Sequence, residues 1–132
     1  MVTLDTSAVI ALLDEGQDRH REASAFVQTT DERLVLPAAT LGEIGHIVER
    51  RFGKRVLLNF ALDLLADAYL IDAGTEDLAR VVALMRRYDD LSLGLVDAAV
   101  IACAERNGGR VLTYDYRHFG TVAAEGTITL VH

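Results

Sequence analysis

Four acidic residues lie at positions in the sequence where α/β proteins commonly bind their ligands. Asp5 directly follows an apolar, strand-like segment near the start of the chain, and Asp115 follows another near its end. Asp97 lies at the start of an apolar helical segment, and Glu43 lies in the second turn of a helical segment that begins near Pro37. In open α/β sheets, ligands bind at the carboxyl ends of the strands. We therefore expect the four acids to converge on one edge, where oxygen ligands suit Mg²⁺ or Mn²⁺.

Each of these acids also has a purely structural interpretation. Asp5 is a favoured N-cap residue, and Asp97 is a first-turn acid that complements the helix dipole. Thr40 and Glu43 have the spacing of a capping box, and Asp115 suits an Asx-turn after its strand. The alternative function is then a non-enzymatic α/β module that binds a protein partner and uses its acids as helix caps. Thermal stability measured with Mn²⁺ distinguishes the metal site from the capping interpretation, because capping acids give no metal-dependent gain in stability.

The apolar surroundings of two of the acids favour a metal site. On a helical wheel, Glu43 falls at the border of the stripe that contains Leu41 and Ile47, half turned toward the core. Asp97 precedes the apolar run at 98–102. Acids in such places are costly unless they are paired or bind a metal, and few basic residues stand beside them in the sequence. A cation is their natural partner.

Short apolar segments alternate with longer segments of helical period along the chain. The predicted strands are 2–4, 33–36, 69–72, 110–113 and 127–131. The first predicted helix begins at Thr6 or Ser7 and ends at Leu13. Five further predicted helices cover 19–29, 37–51, 56–68, 75–85 and 96–107. Strands separated by helices pair in parallel, because parallel neighbours need a crossover. We predict an α/β fold, a three-layer α/β/α sandwich with a mostly parallel central sheet, as a single domain over residues 1–132.

Three segments that carry these acids resemble a known family. The segment DTSAVIALL at 5–13 resembles the opening of PIN-domain ribonucleases. The segments LVDAAVIA at 95–102 and VLTYDYRHF at 111–119 look like their closing half. In length and in these segments the chain is most similar to VapC-type toxins of bacterial toxin–antitoxin pairs. The resemblance extends from Val2 to around Val131.

The resemblance implies a PIN-like fold and a metal-dependent endoribonuclease that acts as the toxin of a toxin–antitoxin pair. Asp5, Glu43, Asp97 and Asp115 would form the family's acidic cluster for Mg²⁺ or Mn²⁺. We expect Asp5 and Asp97 to be direct ligands, and the other two acids to complete the site directly or through water. A metal-activated water would hydrolyse the RNA phosphodiester bond without a histidine, lysine or cysteine. One metal ion and two are both compatible with the sequence.

The same resemblance implies supporting residues and partners. Thr6 and Thr113 would be neighbouring hydroxyls that orient a carboxylate or a metal-bound water. An RNA substrate, a cognate antitoxin that inhibits the enzyme and a homodimeric assembly are implied as well. Arg117 and His118 follow Asp115 closely, so they either contact a substrate phosphate or decorate a turn. Transfer, ribosomal and messenger RNA are all open as substrates, because target choice depends on surface shape.

Composition restricts the other possibilities. The chain has 132 residues, 13 Lys+Arg, 20 Asp+Glu and a net charge of −7, which argues against binding nucleic acid by bulk charge alone. Four basic residues within 50–55 form either a phosphate-contacting patch or the cationic end of a helix. The single cysteine, Cys103, fits a reducing cytoplasm, and no apolar run approaches the length of a membrane span. We therefore predict a cytoplasmic protein without a membrane partner.

Other α/β enzymes with an aspartate after the first strand fit less well. A haloacid-dehalogenase phosphatase needs Asp-x-Asp and a site lysine, whereas Ser7 stands at the third position and the only lysine is Lys54. A response-regulator receiver needs paired acids after the first strand and a lysine near the last one, and both are missing. Dinucleotide binding is disfavoured because no glycine fingerprint follows the first strand.

Overall fold

Five short apolar segments form a single sheet in the computed structural model, which describes residues 1–132. The strands are β1 (Val2–Leu4), β2 (Leu34–Pro37), β3 (Leu70–Asp72), β4 (Arg110–Leu112) and β5 (Thr129–Val131). Their spatial order is β3-β2-β1-β4-β5, and every neighbouring pair is parallel. The predicted parallel sheet is confirmed, and no antiparallel strand interrupts it.

Seven helices cover the two faces of this sheet. They are α1 (Thr6–Leu13), α2 (His20–Thr29), α3 (Leu41–Phe52), α4 (Lys54–Leu65), α5 (Leu78–Arg87), α6 (Leu95–Arg106) and α7 (Tyr116–Ala124). Successive side chains of a strand point to opposite faces. Accordingly, Val111 packs in a core with residues of α5, α6 and α7, whereas the adjacent Leu112 packs in a second core with residues of α1, α3 and α4. The predicted three-layer α/β/α sandwich is confirmed.

Helix α6 lies at the centre of one face because almost its whole length is apolar. Val100 and Ile101 are fully buried, and Ala98, Ala102 and Ala104 are buried beside them. Asp97 is the acid in the first turn of this helix. An acidic side chain is thus attached to one of the most buried elements of the fold.

The helices α3 and α4 start at other residues than predicted because of local backbone geometry: α3 starts at Leu41 instead of Pro37, and α4 at Lys54 instead of Val56. Pro37 ends β2 and pairs with Asp72 of β3, so the helix predicted from Pro37 does not start there. A 3-10 turn at Ala38–Thr40 follows, closed by a 2.8 Å hydrogen bond from the Thr40 hydroxyl to the Pro37 carbonyl, and α3 then begins. Gly53, with φ of 86°, separates α3 from α4 and takes a backbone conformation that favours glycine.

Helix α7 is absent from the predicted elements. Its first turn contains the polar residues Arg117 and His118, so the sequence shows only a short apolar pattern there. That pattern consists of Phe119 and Val122, which are fully buried. The two apolar residues are three apart and lie on one face of the helix. The segment after Asp115 is therefore a helix and not a turn.

No helix of the structure combines the length and the apolar character that crossing a membrane requires.

Candidate metal centre

The four acids identified in the sequence line one cavity at the carboxyl edge of the sheet. The cavity has a volume of about 450 Å³. Asp5 comes from the β1–α1 junction, Glu43 from α3, Asp97 from α6 and Asp115 from the segment between β4 and α7. The strands β1 and β4 are far apart in the sequence but adjacent in the sheet, so Asp5 and Asp115 reach the same cavity although 110 residues of sequence separate them. The parallel topology thus gathers charges that are far apart in the chain.

Asp5 is held in a fixed position beneath the cavity. It is only 4% exposed. Its Oδ2 atom accepts hydrogen bonds of 2.9 Å from the hydroxyls of Ser7 and Thr113. Burial raises the pKa of Asp5, and the two hydroxyls oppose this rise because they stabilise the ionised form. Asp5 stands at the N-cap position of α1 without a side-chain capping hydrogen bond, although the backbone N–H groups of Thr6 and Ser7 also act to lower its pKa.

Asp97 faces the other acids with only one basic side chain, a histidine, near its carboxylate. Its side chain is 25% exposed and accepts no hydrogen bond, and its only ion-pair partner is His118, with Nδ1 3.9 Å from Oδ2. Burial is the first cause that raises the pKa of Asp97 to about 6, and the negative charge of Asp5 is the second. The charges of Asp115 and Glu43 act in the same direction, while His118 opposes them. This is the electrostatic situation that a divalent cation relieves.

Asp115 does have a structural role, which differs from the Asx-turn that its sequence context suggests. It is the N-cap of α7, and its Oδ1 accepts a 3.3 Å hydrogen bond from the backbone N–H of His118. Its Oδ2 lies 2.9 Å from Nδ1 of the same histidine. Asp97, Asp115 and His118 each offer one ligand atom within 4.8 Å of the others. His118, predicted as a substrate contact, therefore lies inside the acidic group because α7 brings position 118 back over position 115.

Glu43 is the most peripheral of the four acids. It is exposed, so the expectation that it is half turned toward the core is wrong. Because α3 begins at Leu41, Glu43 lies in the first helical turn at the open mouth of the cavity, not in the second turn. The capping-box interpretation is also wrong, since Thr40 makes no capping hydrogen bond and its hydroxyl bonds to Pro37 instead.

Ser7 is a site residue that the sequence did not reveal. Its hydroxyl donates to Asp5 and accepts a 2.9 Å hydrogen bond from the backbone N–H of Tyr114. Thr113, which the sequence did indicate, bonds to Asp5 and accepts a 3.0 Å hydrogen bond from the Asp115 backbone N–H. The hydroxyl of Thr6 is buried and has no hydrogen-bond partner. The two residues after Asp5 therefore differ, because only Ser7 hydrogen-bonds to the carboxylate, and the sequence carries no signal that separates the two hydroxyls.

Basic residues reach the cavity from two directions. Arg51, from the basic segment at 50–55, lines it from α3, and Arg19 lines it from the start of α2. No sequence motif marks Arg19 as a residue of this cavity. Arg117 is exposed on α7 and does not line the cavity. None of these cations forms an ion pair with the four acids, whose only partner of that kind is His118.

Comparisons with known proteins agree with this architecture. The chain is 28% identical over 125 residues to ribonuclease VapC26 of Mycobacterium tuberculosis strain H37Rv, covering 93% of each chain. Its fold matches the crystal structure of VapC20 from the same organism, a Sarcin-Ricin loop cleaving toxin, with a TM-score of 0.81 and 23% identity over 92% of this chain and 95% of that one. The DNA-bound VapBC structure from Salmonella typhimurium matches with a TM-score of 0.73 and 19% identity, covering 98% and 96%.

The family assignment rests on the length of the match as well as on the fold. The PIN domain model matches residues 2–125. This range includes the candidate site residues Asp5, Glu43, Asp97, Thr113 and Asp115. The matched range runs from β1 into the segment after α7. The chain belongs to the PIN domain family.

Proposed function

We propose that the protein is a divalent-metal-dependent endoribonuclease and the toxin of a toxin–antitoxin pair. The observation that carries this proposal is Asp97. Its carboxylate accepts no hydrogen bond, faces three other carboxylates in one cavity, and has a pKa raised to about 6. Membership of the PIN domain family and the likeness to ribonuclease VapC26 support RNA as the substrate.

The donor set fits Mg²⁺ or Mn²⁺. Carboxylate oxygens are the ligands that these hard cations prefer, and no cysteine lines the cavity. Asp5 and Asp97 are the proposed direct ligands, and Glu43 and Asp115 complete the site directly or through water. One metal ion and two are both compatible with four carboxylates. When bound, the cation neutralises the acids, attracts the substrate phosphate and makes water a better nucleophile.

The residues around the acids have separate tasks. Ser7 and Thr113 both donate to Oδ2 of Asp5, which favours the ionised form of this buried group and leaves Oδ1 without a side-chain donor. Thr113 also fixes the backbone of Asp115 through its N–H. His118 holds Oδ2 of Asp115 by its Nδ1 atom, so it orients a carboxylate and limits the repulsion within the cluster. We propose a supporting role for Thr6 only through its buried place beside Asp5.

The proposed partners follow from the family and its neighbours. Toxin–antitoxin complexes from Salmonella typhimurium and Klebsiella pneumoniae share the fold, which supports a cognate antitoxin that inhibits this enzyme. A homodimer is proposed on the same family ground. The proposed location is the cytoplasm, where RNA is present as substrate.

Metal-dependent cleavage of RNA tests the proposal. Purified protein is incubated with total bacterial RNA in Mg²⁺, in Mn²⁺ and in EDTA, beside the variants Asp5→Asn and Asp97→Asn. The matched control is Asp90→Asn, since Asp90 is exposed and does not line the cavity. We expect discrete fragments from the wild type and the control in either metal, and none in EDTA or from the two site variants.

Other results refute the proposal. Cleavage that persists in EDTA, or that survives both site substitutions, would show that the acidic cavity is not the catalytic site. If the wild type neither cleaves RNA nor gains thermal stability with Mn²⁺, then the acids do not form a metal site. The binding-module alternative would then stand, although only Asp115 of the four acids makes a capping hydrogen bond.

A further inference from the structure

Two tyrosines and an arginine form a cluster at the rim of the acidic cavity. The guanidinium carbon of Arg19 lies 5.4 Å from the ring centroid of Tyr114 and 5.8 Å from that of Tyr116. The two rings are 6.4 Å apart and meet edge to face, at 79°. Arg19 and Tyr114 both line the cavity. We call this group the Arg19 cluster.

The Arg19 cluster is connected to the acids by a short chain of hydrogen bonds. The backbone N–H of Tyr114 donates to the Ser7 hydroxyl at 2.9 Å, and that hydroxyl donates to Asp5 at 2.9 Å. Tyr116 starts α7, directly after Asp115. The aromatic rings are therefore held at a fixed place relative to the carboxylates.

The cluster is open to solvent on the side of Tyr116. Tyr116 is 42% exposed, although its neighbour Tyr114 is largely covered. Arg19 makes one side-chain hydrogen bond, from Nη1 to Glu22 at 3.1 Å. Because a guanidinium has five N–H donors, most of the donors of Arg19 are free for a ligand.

A second arginine–tyrosine pair in the protein shows what a purely structural contact looks like. Arg87 lies over the ring of Tyr88 at 5.8 Å. Tyr88 is buried, its hydroxyl donates to Glu125, and Arg87 pairs with the same glutamate. The polar groups of that pair therefore bind each other or Glu125, and neither residue lines the acidic cavity. The Arg19 cluster, in contrast, leaves an aromatic ring and guanidinium donors exposed beside the cavity.

These features match the way proteins hold single-stranded nucleic acid. Bases stack on exposed aromatic rings, and arginines contact the adjoining phosphates. Resting on the proposed function, we propose that the Arg19 cluster binds an unpaired nucleotide next to the scissile phosphate, with its base stacked on Tyr116 and its phosphate at Arg19. The protein would accordingly prefer single-stranded or looped RNA, because bases in a duplex are already stacked and not available to Tyr116.

Equilibrium binding in the absence of cleavage tests this inference. The host for all variants is Asp97→Asn in EDTA, which is expected to leave RNA intact. The probes are a fluorescein-labelled ten-nucleotide RNA of mixed sequence and the same RNA annealed to its complement, followed by fluorescence anisotropy. Tyr116→Leu removes the aromatic ring but keeps an apolar side chain, and Tyr116→Phe restores the ring. Arg87→Ala is the matched control for Arg19→Ala.

We expect Tyr116→Leu to weaken binding of the single strand by roughly 5- to 150-fold, the range for loss of one stacked base. Tyr116→Phe should bind within about twofold of the host, because the ring alone provides the stacking surface. Arg19→Ala should weaken binding and lower its salt dependence, since one phosphate contact is lost. Arg87→Ala should bind like the host, and the duplex should bind more weakly than the single strand.

Other outcomes overturn the inference. The inference is wrong if the Tyr116→Leu variant binds single-stranded RNA as tightly as the host does. It is also wrong if the variant loses the same affinity for single strand and duplex, or if the host does not bind RNA. An RNA cleavage assay with the protein that retains Asp97 distinguishes a failure of this inference from a failure of the proposed function. If that protein cleaves RNA in Mn²⁺ while Tyr116→Leu changes neither KM nor binding, only the Arg19 cluster has been misassigned. If it neither cleaves RNA nor responds to Mn²⁺, the proposed function has failed as well.

Discussion

Replacing Asp97 by asparagine is expected to stabilise the metal-free protein at pH 8. Asp97 is ionised at that pH in both the folded and the unfolded chain, and only in the fold does it face burial and the charges of Asp5, Asp115 and Glu43. Asparagine is close to aspartate in shape and carries no charge. The substitution therefore removes a repulsion that the metal-free fold has to tolerate.

The raised pKa gives the size of the effect. The interval from 3.8 to about 6 for Asp97 corresponds to roughly 3 kcal/mol, since a tenfold change in proton affinity is worth about 1.4 kcal/mol. A carboxyl group with a raised pKa destabilises the fold above that pKa and has no effect below the unfolded value. We expect a gain of about 1–3 kcal/mol for Asp97→Asn at pH 8, because the amide also loses some hydration. The gain should decline between pH 6 and pH 4 and vanish below pH 4.

Urea denaturation in EDTA at pH 8 and at pH 4 measures this gain. For a chain of this length, each kcal/mol should also raise Tm by about 3–4 °C. Asp90→Asn is the control and should change stability by less than about 0.5 kcal/mol, since Asp90 is exposed. A loss of stability in Asp97→Asn at pH 8, or the same gain at both pH values, would refute the electrostatic reasoning.

The remaining predictions concern the supporting hydroxyl, the metal and the core. Thr113→Val should cost about 1.5–3 kcal/mol in urea denaturation, because Asp5 loses a hydrogen bond to a charged group; unchanged stability would contradict this. Calorimetry should show that Mn²⁺ affinity decreases as the pH drops below 6, with a loss that approaches about tenfold per pH unit, because protons compete for Asp97. An affinity that does not depend on pH would exclude Asp97 as a ligand. Ile101→Ala should cost about 2–5 kcal/mol because the side chain is fully buried, while Mn²⁺ affinity stays within about twofold; a loss of less than 1 kcal/mol would show that α6 packs less tightly than described.

Much of the fold was predictable because it depends on local patterns. The strand segments are short, apolar and separated by helical segments, and this alternation determines parallel pairing. Helix α7 escaped prediction because only Phe119 and Val122 mark its buried face, while its first turn is polar. The start of α3 was misplaced because Pro37, which suits the first turn of a helix, here ends the interior strand β2 and pairs with Asp72 of β3.

The candidate site divides in the same way. Asp5, Asp97 and Asp115 were recognisable because strand ends and helix starts share one edge of a parallel sheet. Ser7 and Arg19 were not, because their roles depend on contacts with distant parts of the chain. The Ser7 hydroxyl meets the backbone of Tyr114, 107 residues away, and Arg19 meets the rings of Tyr114 and Tyr116. No local pattern reports such tertiary contacts.

The chemistry of the RNA ends tests the central claim most directly. Cleavage is carried out in Mn²⁺ and ¹⁸O-labelled water, and the fragments are analysed by mass spectrometry. If the acidic cavity directs water onto phosphorus, each break should leave a linear terminal phosphate that contains one ¹⁸O, and Asp97→Asn should give no such product. Fragments that end in a 2′,3′-cyclic phosphate without ¹⁸O would mean that the ribose 2′-hydroxyl attacks instead, and would contradict a hydrolytic metal centre at Asp5 and Asp97.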